Sequence, residues 1–218
     1  MRLLAHYKHK RWLQVFVIYL RYLVGGAYVF SAMPKILGER FMSQNGEDAP
    51  INTFPHFFET LYRSGIYWEF LGWSQVLAAL FLMTQVFATF GAVAFLAISI
   101  NVFMITITYP FAGTPVITGL MLLSNCFLLL WDYPKLAHLV IPDKPTKFII
   151  INYYDPYYNH RFWMFLGFIL FSITVVYVIY FGRNPVSWFL ISVFIGFAGW
   201  IYMRMRFPQV KTKPKARQ

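Results

Sequence analysis

The stretch RYLVGGAYVFSAMPK, Arg21–Lys35, opens and closes on a positive charge within a long apolar run. Arg21, Gly25, Tyr28, Ala32 and Lys35 recur at intervals of 4, 3, 4 and 3 residues. On a helix that spacing is one face. A greasy helix with a single polar face points it at something, either water at the membrane surface or the interior of a protein bundle. Arg21 lies nine residues beyond Trp12, about 14 Å along a helix rising about 1.5 Å per residue. An arginine at mid-depth is penalised by about 2.5–3.5 kcal/mol on insertion scales. Two readings of Arg21 stay open: an interfacial arginine that snorkels to the surface, and one that faces a pocket.

The rest of the chain agrees with a membrane setting. It has 218 residues, of which 59% are hydrophobic, 21% aromatic and 12% charged. Soluble domains carry about 25% charged residues. The formal charge of +11 does not point to nucleic acid, because the basic residues sit between apolar segments and at the two ends, where bilayer orientation uses them. The lone cysteine, Cys126, excludes an intrachain disulfide, and the five histidines make no metal-binding spacing. No metal site is expected. The basic start runs to Arg11 and no A-x-A site follows, so the first apolar segment reads as an uncleaved span.

Six segments are near the length of about 20 residues that crosses a bilayer: Trp12–Met33, Tyr67–Gln85, Phe87–Tyr109, Pro115–Trp131, Phe162–Phe181 and Val186–Met203. The first is expected to stop at Pro34, and the fourth is short. With six spans, fourteen Lys and Arg fall on the side of the termini and four on the other. The positive-inside rule then places both termini in the cytoplasm. The expected fold is all-α: a polytopic membrane protein with a four-helix antiparallel transmembrane bundle over residues 1–138 and a C-terminal transmembrane hairpin over 162–203. An outward loop (36–66), a cytoplasmic loop (139–161) and a basic tail (204–218) complete the chain. In the outward loop, Phe54, Phe57, Phe58, Leu61 and Tyr62 stand near helical spacing, which suggests a short helix on the membrane surface. In the cytoplasmic loop, FIIINYYDPYYNHRFW fits a short extended segment or an interfacial aromatic belt. The end of the tail, VKTKPKARQ, is basic and broken by proline; it reads as disordered and drawn to anionic headgroups.

The candidate site is a buried polar network. The second span holds Glu69 and Gln75, the third Asn101, and the fourth Thr118, Asn125 and Asp132 at seven-residue intervals. Polar groups at membrane depth must face protein or water, so these faces should converge with Arg21, Tyr28 and Lys35 inside the bundle. By depth, Lys35 is the expected partner of Glu69, and Arg21 that of Asn125, Asp132 or a ligand headgroup. Gln75, Asn101 and Asn125 fit interhelical glue as well as they fit a site. Arg21 and Glu69 lean toward function, because isolated buried charge is costly. The last two spans carry little polarity, and Ser192 and Gly196 suit close helix packing. They read as a hairpin for packing or partner docking.

RYLVGGAYVFSAMPKILG resembles the first helix of DoxX-like membrane proteins. YWEFLGWSQVLAALFLMTQVFATFGA is similar to that family's second helix and its turn into the third. NVFMITITYPFAGTPVITGLMLLSNCFLLLWDYPKL resembles the third and fourth helices of the flavobacterial type. The resemblance covers about residues 16–138. It implies a four-helix bundle in a bacterial inner membrane, in a family linked to quinone-coupled thiosulfate oxidation, methylamine utilisation and oxidative-stress complexes. Three functions compete. The first is a non-catalytic subunit or assembly factor of a larger membrane complex, with other subunits and membrane lipids as partners. The second is a membrane oxidoreductase component that binds a quinone or a lipid in a polar pocket. The third is a small transporter, for which intramembrane acids are few.

Overall fold

The computed structural model describes residues 8, 10–42, 45–140, 158 and 160–207. Among them all regular structure is helical: α1 (Arg11–Ile36), α2 (Phe54–Arg63), α3 (Ile66–Met83), α4 (Ala88–Thr108), α5 (Thr114–Val140), α6 (Arg161–Phe181) and α7 (Pro185–Arg206). All but α2 are long and apolar enough to cross a membrane. The chain is therefore a multi-pass membrane protein. An even number of spans brings the start of α1 and the end of α7 to one end of the molecule, here called the terminal end. The other is the distal end. Residues 141–157 and 208–218, which hold most of the expected extended segment (148–163) and of the tail (204–218), lie outside the described residues; Arg161–Trp163 of the one begin α6 and Arg204–Arg206 of the other end α7.

Two helices overrun their expected limits. α1 continues through Pro34, which falls in its last turn. There a proline removes one backbone donor but keeps a helical φ. α5 continues through Pro134 and takes in Asp132, one residue beyond the expected limit at Trp131. The 26 residues of α1 and 27 of α5 extend about 40 Å at about 1.5 Å per residue. The 18 residues of α3 reach only about 27 Å. The overhang of α1 and α5 flanks the turn that joins α3 to α4.

α1 packs along α3, α3 along α4, α4 along α5, and α5 closes the ring on α1. Buried Val24, Tyr28 and Ala32 from α1 meet Val76, Ala79 and Leu82 from α3, with Ala92, Phe95, Leu128 and Trp131 from α4 and α5. Helices in lipid associate by close packing rather than by escape from water, and small residues permit it. A Cβ at Gly72 of α3 would lie 2.8 Å from the Ile36 side chain and 3.0 Å from that of Lys35.

The hairpin is not an appendage. α6 lies against both α1 and α3, and α7 docks mainly on α6. Ile18 and Tyr22 of α1 and Met83 of α3 share one buried cluster with Trp163, Leu166, Leu170 and Met203. The Tyr22 hydroxyl donates to the Trp163 carbonyl. Gly167 is required where α6 crosses the end of α3, since any Cβ there would run into the Met83 carbonyl.

The loop before α2 and α2 itself form a cap at the distal end. Phe54 stacks on Phe111 at 4.6 Å and Phe57 on Tyr109 at 4.9 Å. Glu59 anchors the cap: Arg40 donates to it at 2.8 and 3.1 Å, and Arg63 at 3.0 Å. The Arg40 guanidinium, with Arg63 and the Gly46 amide, holds the Glu59 carboxyl down to about 2. Arg183, between α6 and α7, donates to Glu39 at 2.6 Å and so ties the hairpin to the cap.

Candidate functional site

Arg21 is buried where the overhang of α1 meets the α3–α4 turn. Its Nη2 donates to Asp132 Oδ2 of α5 at 2.7 Å, and both residues are at most 2% exposed. Its Nη1 donates to Gln85 Oε1 at 2.7 Å and to the Tyr158 hydroxyl at 2.9 Å. Thr89, in the first turn of α4, donates to the same Asp132 oxygen at 3.1 Å. Lys135 Nζ lies 3.6 Å from the other. Lys8 stands over the Trp131 ring at 5.4 Å, and burial pulls its ammonium below the usual lysine range while Asp132 opposes that shift. Burial raises the Tyr158 phenol, so it meets Arg21 as a neutral hydroxyl. Gln85 aims its amide from a left-handed backbone, φ +63°, a conformation that L residues adopt at some expense. The cluster therefore lies level with the terminal ends of α3 and α4, not at the middle of the bundle.

The structure distributes the other expected site residues along the bundle rather than gathering them. Tyr28 donates to Ser99 of α4 at 2.8 Å and stacks on Phe95. Asn125 is fully buried, and neither of its amide atoms has a hydrogen-bond partner among the described residues. Gln75 is buried on the α1-facing stripe of α3, and its Oε1 is likewise without a partner there. Thr118 shares a 2.7 Å hydrogen bond with Thr106 across the α4–α5 interface.

Two expectations are corrected. Lys35 does not meet Glu69. Its ammonium donates to the Ser31 carbonyl at 2.6 Å and lies between the rings of Trp68 and Phe41, 5.3 and 5.5 Å away. Trp68 takes the position facing α1, and Glu69, one residue or about 100° further round the helix, is exposed. Asn101 is also exposed, on the outer face of α4, where its Nδ2 donates to its own helix at the Ala97 carbonyl, 3.0 Å. Gln85, Thr89, Tyr158 and Ser99 complete the interior contacts without having been singled out in the sequence. Only the seven-residue step from Ala92 to Ser99 was a readable signal for any of them.

A second feature lies on the side of the hairpin. α1, α6 and α7 border an open groove of about 480 Å³, lined among others by Trp12, Phe16, Leu23, Trp188, Val193 and Trp200. Its walls are almost entirely hydrocarbon and aromatic ring. Most small-molecule sites have volumes of about 300–1,000 Å³ and are mostly apolar.

Fold and site together define an all-α, multi-pass membrane protein: a four-helix bundle closed at one end by a buried ion pair, with a hairpin leaving an apolar groove at its flank. No known family, no curated protein and no solved structure matches the chain.

Proposed function

We propose that the protein is a DoxX-like bacterial inner-membrane protein that holds a lipophilic molecule, a lipid or a quinone, in the groove between α1, α6 and α7. The observation that carries this reading is the groove of about 480 Å³ with apolar walls, set among helices that are themselves apolar enough to span a membrane. A groove of that size open to a bilayer fills with hydrocarbon. The Arg21–Asp132 pair supports a holding role over a chemical one. Its charges are engaged by Gln85, Thr89 and Tyr158 as well as by each other, so the pair locks α1, α4 and α5 together. In this reading the protein catalyses no reaction of its own. The excess of Lys and Arg on the terminal side supports cytoplasmic termini. Native mass spectrometry after mild detergent extraction tests the proposal. A lipophile should stay with the folded chain, and Val193→Trp, which fills the groove, should release it. An empty wild-type chain would remove this reading.

A second reading, a subunit of a larger membrane complex, is favoured by Asn101. The Asn101 amide and the Thr108 hydroxyl seven residues on are both exposed, on a face that also carries exposed Val93, Met104 and Ile107; two polar groups there fit contact with another protein better than contact with lipid. Asn101→Leu should then reduce co-purification of a partner while the chain stays folded. Unchanged co-purification would leave Asn101 a lipid-facing residue.

A further inference from the structure

We propose that the groove binds one chain of an anionic phospholipid, whose phosphate headgroup lies at the terminal end against Arg204 and its basic neighbours. This inference rests on reading the groove as a lipophile site and assigns the ligand's class and direction.

The groove's limits set the direction. At its distal limit Trp188 packs over Gly26, where a Cβ would lie 3.0 Å from the indole. At the terminal end Arg11 donates to the Phe207 carbonyl at 3.2 Å, joining the start of α1 to the end of α7. Midway, Tyr19 donates to the Gly196 carbonyl at 2.7 Å. The lining residues Trp12 and Gly26 are 14 positions apart on α1, about 21 Å at about 1.5 Å per residue. Half of a hydrocarbon core of about 30 Å is about 15 Å. An extended chain from one leaflet therefore fits along the groove.

Charge sets the headgroup. Lys10 and Arg11 at the start of α1, Arg161 at the start of α6, and Arg204 and Arg206 at the end of α7 gather at the terminal end. No described residue of these three helix ends is acidic. The Arg204 guanidinium lies 5.1 Å from the centre of the Trp200 ring, which itself lines the groove. Trp12 and Trp200 are thus apolar wall at the level where the cations begin, the usual place of tryptophan at a membrane interface. Inside, the groove carries no charged side chain. It offers the Ser192 hydroxyl, which has no hydrogen-bond partner among the described residues. Such an interior suits hydrocarbon and leaves polar recognition to the mouth, where phosphate meets arginine.

The test is reconstitution of the full chain in vesicles of equal phosphatidylglycerol and phosphatidylcholine, then detergent extraction and quantification of the lipid retained per folded protein. Phosphatidylglycerol should be enriched, and each of Arg204→Gln and Arg206→Gln should reduce the enrichment about fivefold, from about 1 kcal/mol per basic residue near a charged surface. Val193→Trp should remove retention of both lipids. Circular dichroism and thermal unfolding confirm that the variants remain folded. Retention lost in Val193→Trp but without headgroup preference, or unaffected by the arginine changes, overturns the anionic assignment and leaves the groove reading standing. Retention unaffected by Val193→Trp overturns both. A prenyl-tailed quinone retained from native membranes in place of phospholipid also overturns the assignment.

Discussion

Arg21 of α1 and Asp132 of α5 are 111 positions apart in sequence and meet as a buried ion pair at 2.7 Å. The pair closes the ring of four helices where α1 and α5 overrun the α3–α4 turn. A buried pair of this kind is weak evidence of net stabilisation, since desolvation offsets the attraction. Losing one partner is different, because it strands the other charge.

Arg21→Leu should therefore lower stability by about 3–5 kcal/mol, and Asp132→Leu by a similar amount. The double variant should recover most of that loss, because neither charge remains to be stranded. Detergent-dependent unfolding of the four proteins measures the coupling. Additive losses in the double variant would show that the two side chains act independently.

Gly167 leads to a second expectation. Gly167→Val would drive α6 away from the Met83 carbonyl and expose the cluster around Ile18 and Tyr22. A chain ending at Pro142 should lose the same cover. Both should unfold at lower temperature and expose new tryptic sites in α1, which reads out whether the hairpin belongs to the core. A truncated chain as stable as the full one would return the hairpin to the role of an appendage.

Some of this is legible in the sequence. The 4-3-4-3 spacing from Arg21 to Lys35 is a face, and all five of its residues are buried. The seven-residue spacing of Thr118, Asn125 and Asp132 is another. What failed was phase within uniformly apolar helices. α3 is apolar on most of its circumference, so periodicity does not decide whether Trp68 or Glu69 faces α1. Gly72 was the better marker, since it must lie where helices come close. Gln85 and Tyr158 were hidden for another reason. They reach Arg21 from a turn and from the segment before α6, where helical periodicity says nothing. The groove arises from three helices separated in sequence, each of which reads only as a plain span.

The distal cap should respond to acid. The Glu59 carboxyl has a folded pKa of about 2 against an ordinary 4.5. A depressed acid contributes stability that is fully present above its unfolded pKa and is lost as pH falls through the folded one. The cap should therefore hold at neutral pH and loosen between pH 4.5 and about 2. Limited acid proteolysis between Gly38 and Gly65 follows it. Arg40→Gln, by removing the strongest partner, should shift the onset to higher pH. An unchanged profile would mean that the aromatic stacks alone hold the cap.

Lys35 supplies the sharpest test of how the distal end is built. Its ammonium has the Ser31 carbonyl and the faces of Trp68 and Phe41 around it, and no carboxylate takes part in an ion pair with it among the described residues. Cation–π contacts of this kind contribute about 0.5–2 kcal/mol, which is less than a stranded buried charge would lose. Lys35→Met keeps the stem that packs on Gly72 and removes the charge. It should leave stability within about 1 kcal/mol of wild type while changing the fluorescence of Trp68. Glu69→Gln should change neither, because that carboxylate is exposed. A matched loss of stability in both variants would restore a Lys35–Glu69 pair and contradict the aromatic cage.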